Sequence, residues 1–161
     1  MKKEEVIASV RDILDTYGFK FSHDEKYDQF STTLSVACAI KEIDLNLGWA
    51  DWGLSFSGRF PVLVNLSRFE ETRKYLNMIN NMSAACFFVL DDRGIVECKY
   101  WLCTSWLETL PWEALDDGFK TIASAYEIFS DGLLAIVSGA SDAETEFKKA
   151  EAAMDEDNNE E

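Results

Sequence analysis

The chain has one histidine, two prolines and eight glycines, and its 161 residues carry 15 bases against 30 acids. Each shortage excludes something. One histidine, His23, and four cysteines with no CxxC pair leave no zinc-ligand set. The glycines form no phosphate-cradling loop, and neither a GxSxG elbow nor an HExxH helix occurs. A net charge of −15 repels nucleic acid and anionic membranes and favours a basic partner. No uninterrupted apolar run approaches the ~20 residues of a membrane span. The opening MKKEEVIASVRDIL lacks the continuous apolar stretch and cleavage site of a secretory signal. The expectations are a cytoplasmic protein with no metal, no cofactor, no membrane and no nucleic-acid partner.

What is present is a globular composition, 47% hydrophobic and 13% aromatic. A chain of this length buries roughly two-thirds of its unfolded surface in one core. The acid is uneven: from Asp142 onward nine acids face two lysines. Residues 1–140 therefore read as a single domain. Residues 141–161 read as an acidic tail, partly helical through Phe147, Ala150 and Met154 or disordered, with DEDNNEE disordered.

Periodicity supplies the elements. Val6, Ile7, Val10, Ile13, Leu14 and Tyr17 make one helical stripe, ended by Gly18. Leu34, Val36, Cys38 and Ile40 alternate as a strand, Lys41-Glu42 turns, and Ile43, Leu45, Leu47 and Trp49 alternate as a second. LSFSGRFPVLV is a third, with Pro61 at an edge position or a bulge. Ser67-x-x-Glu70 is a capping box opening a second helix. Phe69, Leu76, Ile79 and Ser83 form its buried side, and Asn80 and Asn81 end it. Ala84 to Leu90 and Ile95 to Cys103 form a hairpin around Asp91-Asp92-Arg93-Gly94. Pro111 starts a last helix striped by Trp112, Leu115, Phe119, Ile122, Tyr126, Phe129, Leu133 and Ile136, and Gly139 ends it. That stripe spans about 36 Å, longer than a compact sheet needs for cover. The fold class is α+β: an antiparallel β-sheet with three helices in the order α-β-β-β-α-β-β-α.

Catalysis lacks its parts. His23, in FSHDEKYD, reads as an exposed loop histidine, and Asp91-Asp92 as turn residues short of a cation site. Cys38, Cys86, Cys98 and Cys103 read as buried reduced thiols, with Cys98 and Cys103 on opposite strand faces. The residues expected to bind a partner are Trp49, Trp52, Trp101 and Trp106. GWADWG sets Trp49 and Trp52 about a carboxylate, which covers the sheet end or stacks a small ligand. Trp101 lies on the strand face opposite Tyr100, where a large apolar group suggests a partner protein or a second copy of the chain.

The run SRFEETRKYLNMINN, then ACFFVL, a turn, IVECKYWLC and a proline-started apolar helix, resembles the YbjN-like family, most visibly from Leu66 to Ile136. Leu76, Asn77 and Asn80 match the family's LNxxN-type segment, while GWADWG and the acidic tail depart from its pattern. Members are described as candidate bacterial sensory transduction regulators with the fold of type III secretion chaperones. The resemblance implies a domain without catalytic residues, with a homodimer left open, that holds another protein or modulates its state. Two functions compete: a protein-binding regulatory domain, and a small-ligand sensor at Trp49 and Trp52.

Overall fold

The computed structural model describes residues 1–50, 53–105 and 107–157. Its elements are α1 (Lys3–Thr16), β1 (Phe21–Asp24), β2 (Gln29–Ser35), β3 (Glu42–Ala50), β4 (Gly53–Arg59), α2 (Phe69–Met82), β5 (Phe87–Leu90), β6 (Val96–Cys103), α3 (Trp112–Ser138) and α4 (Ala143–Asp157). The six strands form one antiparallel sheet in the order β1-β2-β3-β4-β6-β5.

Two corrections to the expected order follow: four strands precede α2, and a fourth helix follows α3. β1 escapes notice because its four residues, FSHD, are too few to show a period, and the charged turn after them reads as loop. The alternation through Val36, Cys38 and Ile40 outruns the strand. β2 ends at Ser35, and the β2–β3 connection is closed by Val36 N–H donating to Lys41 C=O at 2.8 Å. Lys41 itself takes a left-handed φ of 63°. An apolar period of two cannot distinguish strand from turn. Its parity still holds, since Phe30, Thr32 and Leu34 share the core-facing side with Ile43, Leu45 and Leu47.

At α2 the capping box is absent. A single 3-10 turn, Leu66–Arg68, precedes the helix, and Asn65 caps that turn by accepting from Ser67 N–H. The helix also runs past Asn80 and Asn81 to Met82. Its buried residues are Thr72, Tyr75, Leu76 and Ile79, and the Tyr75 hydroxyl reaches inward to donate to Phe129 C=O at 3.2 Å. Phe69 and Ser83 are only half-buried.

The β5–β6 hairpin forms around its expected turn, although β5 begins at Phe87 and not at Ala84, and α3 lies as expected, with Gly139 ending it in the left-handed conformation. Leu115, Phe119, Ile122, Tyr126, Phe129, Leu133 and Ile136 are all buried. The surplus length of α3 has a plain cause: it packs on β4 and β6 of the sheet and also on α2 and α4. α3 is long and apolar enough to cross a bilayer, but its apolar stripe is core. In α4, Ala143, Glu146 and Ala150 are buried, and the helix includes Asp155 and Asp157. Residues 158–161, the rest of DEDNNEE, lie outside the described residues.

One side chain of α3 enters the sheet. The Tyr126 hydroxyl donates to Gly58 C=O at 2.7 Å and accepts from Cys98 N–H at 3.2 Å. Gly58 and Cys98 are partners across β4 and β6, so the phenol stands in the ladder between them. A Cβ on Gly58 would lie 2.5 Å from Ile122 Cγ2 and 3.1 Å from Tyr126 Cε2. Glycine is what lets α3 approach this closely.

Candidate functional site

Strand alternation decides which side chains meet the helices. Leu54 and Phe56 of β4, Val96 and Cys98 of β6, and Ile43, Leu45 and Leu47 of β3 are all at most 1% exposed and form the core beneath the helices. Their neighbours point the other way: Asp44, Asn46, Ser55, Ser57, Glu97, Lys99 and Trp101. Among the described residues no helix packs on that second face. It is polar except at one end, where Trp101, 42% exposed, lies against Phe87 with ring centroids 4.6 Å apart.

Of the four tryptophans expected to bind a partner, the two among the described residues lie on opposite faces of the sheet. Trp49 aligns with Leu54 and packs against the core on the helix side, opposite in sense to Trp101. Trp52 and Trp106 lie outside the described residues. Among the described residues, Trp101 is the expected binding tryptophan that stands on the open face.

The sheet edges are closed to strand addition at one end. The Asn80 side chain, expected to end α2, instead accepts from Phe88 N–H at 2.6 Å and donates to Phe88 C=O at 2.8 Å. One amide thus stands in for a neighbouring strand on β5, the outermost strand. The other outermost strand, β1, is only four residues long. What remains open is a face.

A second exposed apolar group escaped the sequence. β4 stops at Arg59, and the chain returns to the β5–β6 hairpin through Phe60 N–H to Val96 C=O at 2.9 Å and Val64 N–H to Gly94 C=O at 2.8 Å. Pro61, Val62 and Leu63 loop out between these bonds, the bulge that Pro61 suggests. Leu63 is 59% exposed and Leu66 78%. Reading residues 54–64 as one continuous strand hid the loop that presents Leu63.

His23 is a further correction. It lies on β1, stacked on the Phe30 ring at 4.2 Å, and Arg11 Nη2 is 2.7 Å from its Nδ1. The surrounding cleft, about 380 Å³, is lined by Lys3, Glu4, Arg11, His23, Glu25 and Asp28. Arginine only donates, so Nδ1 is the acceptor and its lone pair is engaged. The buried Nε2 has no partner among the described residues. Lys3 is also committed, paired with Asp28 at 2.6 Å. Charge gathers in this cleft without a serine, threonine or cysteine nucleophile in its lining.

The last feature is an apolar cavity of about 420 Å³ between the C-terminal end of α2, α3 and α4. Met82, Ile128, Phe129 and Met154 line it, and Ser83 and Cys86 stand in the segment leading into β5. All four cysteines are free thiols: Cys86 and Cys98 are buried, whereas Cys38 and Cys103 are half-buried, short of the burial expected for the whole set. Among the described residues no cluster of three or more His, Cys, Asp or Glu could hold a metal.

With this geometry in hand, the chain can be compared with known proteins. No family model matches it, and no curated protein matches it. Among solved structures, YbjN from E. coli, described as "a putative transcription regulator", aligns over 79% of this chain and 92% of its own, with a TM-score of 0.57 and 15% identity. The fold is YbjN-like. At that identity the likeness is one of architecture, and it accounts for a mixed α/β chain whose helices lie on one side of an antiparallel sheet.

Proposed function

We propose that this chain is a non-catalytic, protein-binding regulatory domain that grips its partner on the open sheet face, with Trp101 as the anchor. The supporting observation is the pair Trp101–Phe87, an aromatic platform on a face without a helix cover. Aromatic side chains bring large contact area at low entropic cost, which is why tryptophan is enriched among binding hot spots. Asn80 occupies the outer edge of β5, so contact through the face is favoured over addition of a strand. The net charge of −15 steers a basic segment of the partner, and it disfavours DNA as the direct target.

The regulatory part of the proposal draws on the description carried by YbjN, and the chaperone-like holding role on the resemblance to secretion chaperones. The non-catalytic part rests on the engaged Nδ1 of His23 and the missing nucleophile beside it. A small-ligand sensor at Trp49 and Trp52 has less support, because Trp49 packs on the core.

The test is affinity capture from the native lysate at low and high salt, with wild type and Trp101→Ser side by side, together with sedimentation of the purified chain. Trp101 is part-exposed, so its loss should leave the melting temperature within a few degrees while removing the specifically captured protein. Capture of the same protein by Trp101→Ser with undiminished yield would sink the assignment of the anchor. No protein retained at either salt, with a monomer in sedimentation, would sink the binding function.

A further inference from the structure

Two of the four thiols lie near each other, Cys98 on β6 and Cys86 in the segment just before β5. Phe88 is paired with Cys98, so Cys86, two residues earlier on the same side, stands diagonally across from Cys98. The two thiols are near enough that each acts first on the other's ionisation. Ser83 Oγ lies 3.6 Å from that sulfur and also accepts from Cys86 N–H at 3.3 Å, which fixes the turn before β5 around the thiol. The two cysteines differ in access. Cys98 is 0% exposed behind β6, whereas Cys86 lines the apolar cavity of about 420 Å³ that opens between α2, α3 and α4. A small neutral oxidant can therefore reach one sulfur and not the other.

We propose that Cys86 and Cys98 are a peroxide-sensing dithiol, in which Cys86 is oxidised through the cavity and Cys98 closes a disulfide onto it. The Cys86 thiolate attacks one oxygen of hydrogen peroxide and the O–O bond breaks. This leaves a sulfenic acid on Cys86, and the second oxygen departs as water once protonated. The Cys98 thiol then attacks the Cys86 sulfur. The S–O bond breaks, an S–S bond forms, and the hydroxyl leaves with the Cys98 proton as a second water. Two thiols lose two electrons and peroxide gains them.

The environment favours this order. Cys86 is held down to about 7, chiefly by Cys98 and also by Ser83, against the upward push of burial. The same contact and burial push the Cys98 thiol up. Disulfide closure needs the sulfurs to come within about 2.05 Å, a movement for which the non-strand segment before β5 is better suited than β6. The disulfide would draw that segment toward β6 and remove the thiol from the floor of the cavity, so oxidation state and cavity shape are coupled.

The experiment treats the full chain with a few equivalents of hydrogen peroxide, blocks remaining thiols with an alkylating agent, and maps peptides by mass spectrometry without reduction. The expected product is a Cys86–Cys98 linked peptide, reversed by dithiothreitol, with Cys38 and Cys103 still alkylated. Cys86→Ser should abolish the link, and Cys98→Ser should leave a sulfenic acid on Cys86 that dimedone traps. Should Cys98→Ser fail to fold, the wild-type map and the rate of dimedone labelling before closure still decide the matter. Oxidation of Cys38 or Cys103 while Cys86 and Cys98 stay alkylatable overturns the proposal, as does a disulfide between any other pair.

Discussion

Removing the Tyr126 hydroxyl tests whether it really completes the sheet. In Tyr126→Phe the ring keeps its stacking against Phe60 and its edge contact with Phe88, and only one oxygen is lost. That oxygen satisfies both Gly58 C=O and Cys98 N–H in a fully buried setting. Burial pushes the phenol well above the ordinary tyrosine value, so it keeps its proton and can donate as well as accept. Orphaning a buried carbonyl and a buried amide costs roughly 1–3 kcal/mol each, so the loss should be about 2–6 kcal/mol. For a domain of this size each kcal/mol moves the melting temperature by roughly 2–4 °C, so the drop should be at least about 4 °C and up to about 24 °C. Thermal melts followed by circular dichroism, with urea titrations to check that the slope is unchanged, read this directly. A drop under about 2 °C would refute the reasoning, because β4 and β6 would then have closed the gap with a bond of their own. Gly58→Ala attacks the same junction from the other side. Its Cβ at 2.5 Å from Ile122 Cγ2 should cost roughly 1–3 kcal/mol of overpacking. The double variant should depart from the sum of the singles by at least about 0.5 kcal/mol, since the two sites share one contact.

Other expectations are independent of this junction. Asn80→Ala strips β5 of its side-chain partner at Phe88, so roughly 1–3 kcal/mol of stability should be lost. Amide exchange at Phe88 should accelerate ahead of that in β3, and unchanged exchange there would show that water replaces the amide at no cost. Asp91 is held below the usual carboxylate range, first by the N–H of Ile95 and then by the Arg93 guanidinium and N–H. A lowered folded value means the contribution is fully present above the unfolded value and is lost as pH falls through the folded one. Melting temperature should therefore fall on acidification below the carboxylate range, and Asp91→Asn should flatten part of that fall. An identical acid limb in the variant would show that the turn gains nothing from the charge.

Much of the fold is legible in the residues. α1, α3 and the β5–β6 hairpin are read from stripes, a proline start and a Gly94 turn, because those signals are local and uninterrupted. The parity read for β2, β3 and β6 also survives, even where strand limits shift, since a slip by one residue would turn the whole apolar set toward water. β1 is too short to show a period, and Lys41 hides a left-handed turn inside an apolar alternation. The candidate site is legible in part. The face that Trp101 occupies is read from its strand parity, and the same parity sets Trp49 on the helix side, while Trp52 lies outside the described residues.

What the sequence by itself determined is the set of surfaces each element must bury and the acidity of what remains. Those follow from residue spacing and charge, which need no knowledge of neighbours. Tertiary structure alone decided which sheet face the helices cover, and hence that Trp101 is exposed while Trp49 is packed. It also turned Asn80 from a helix end into a strand partner, placed the Tyr126 hydroxyl between two strands, and brought Cys86 to Cys98. Each of these joins residues distant along the chain, or aims one side chain at a backbone group beyond its own element. Periodicity within an element carries no information about such meetings. The contact is chosen by how the layers pack.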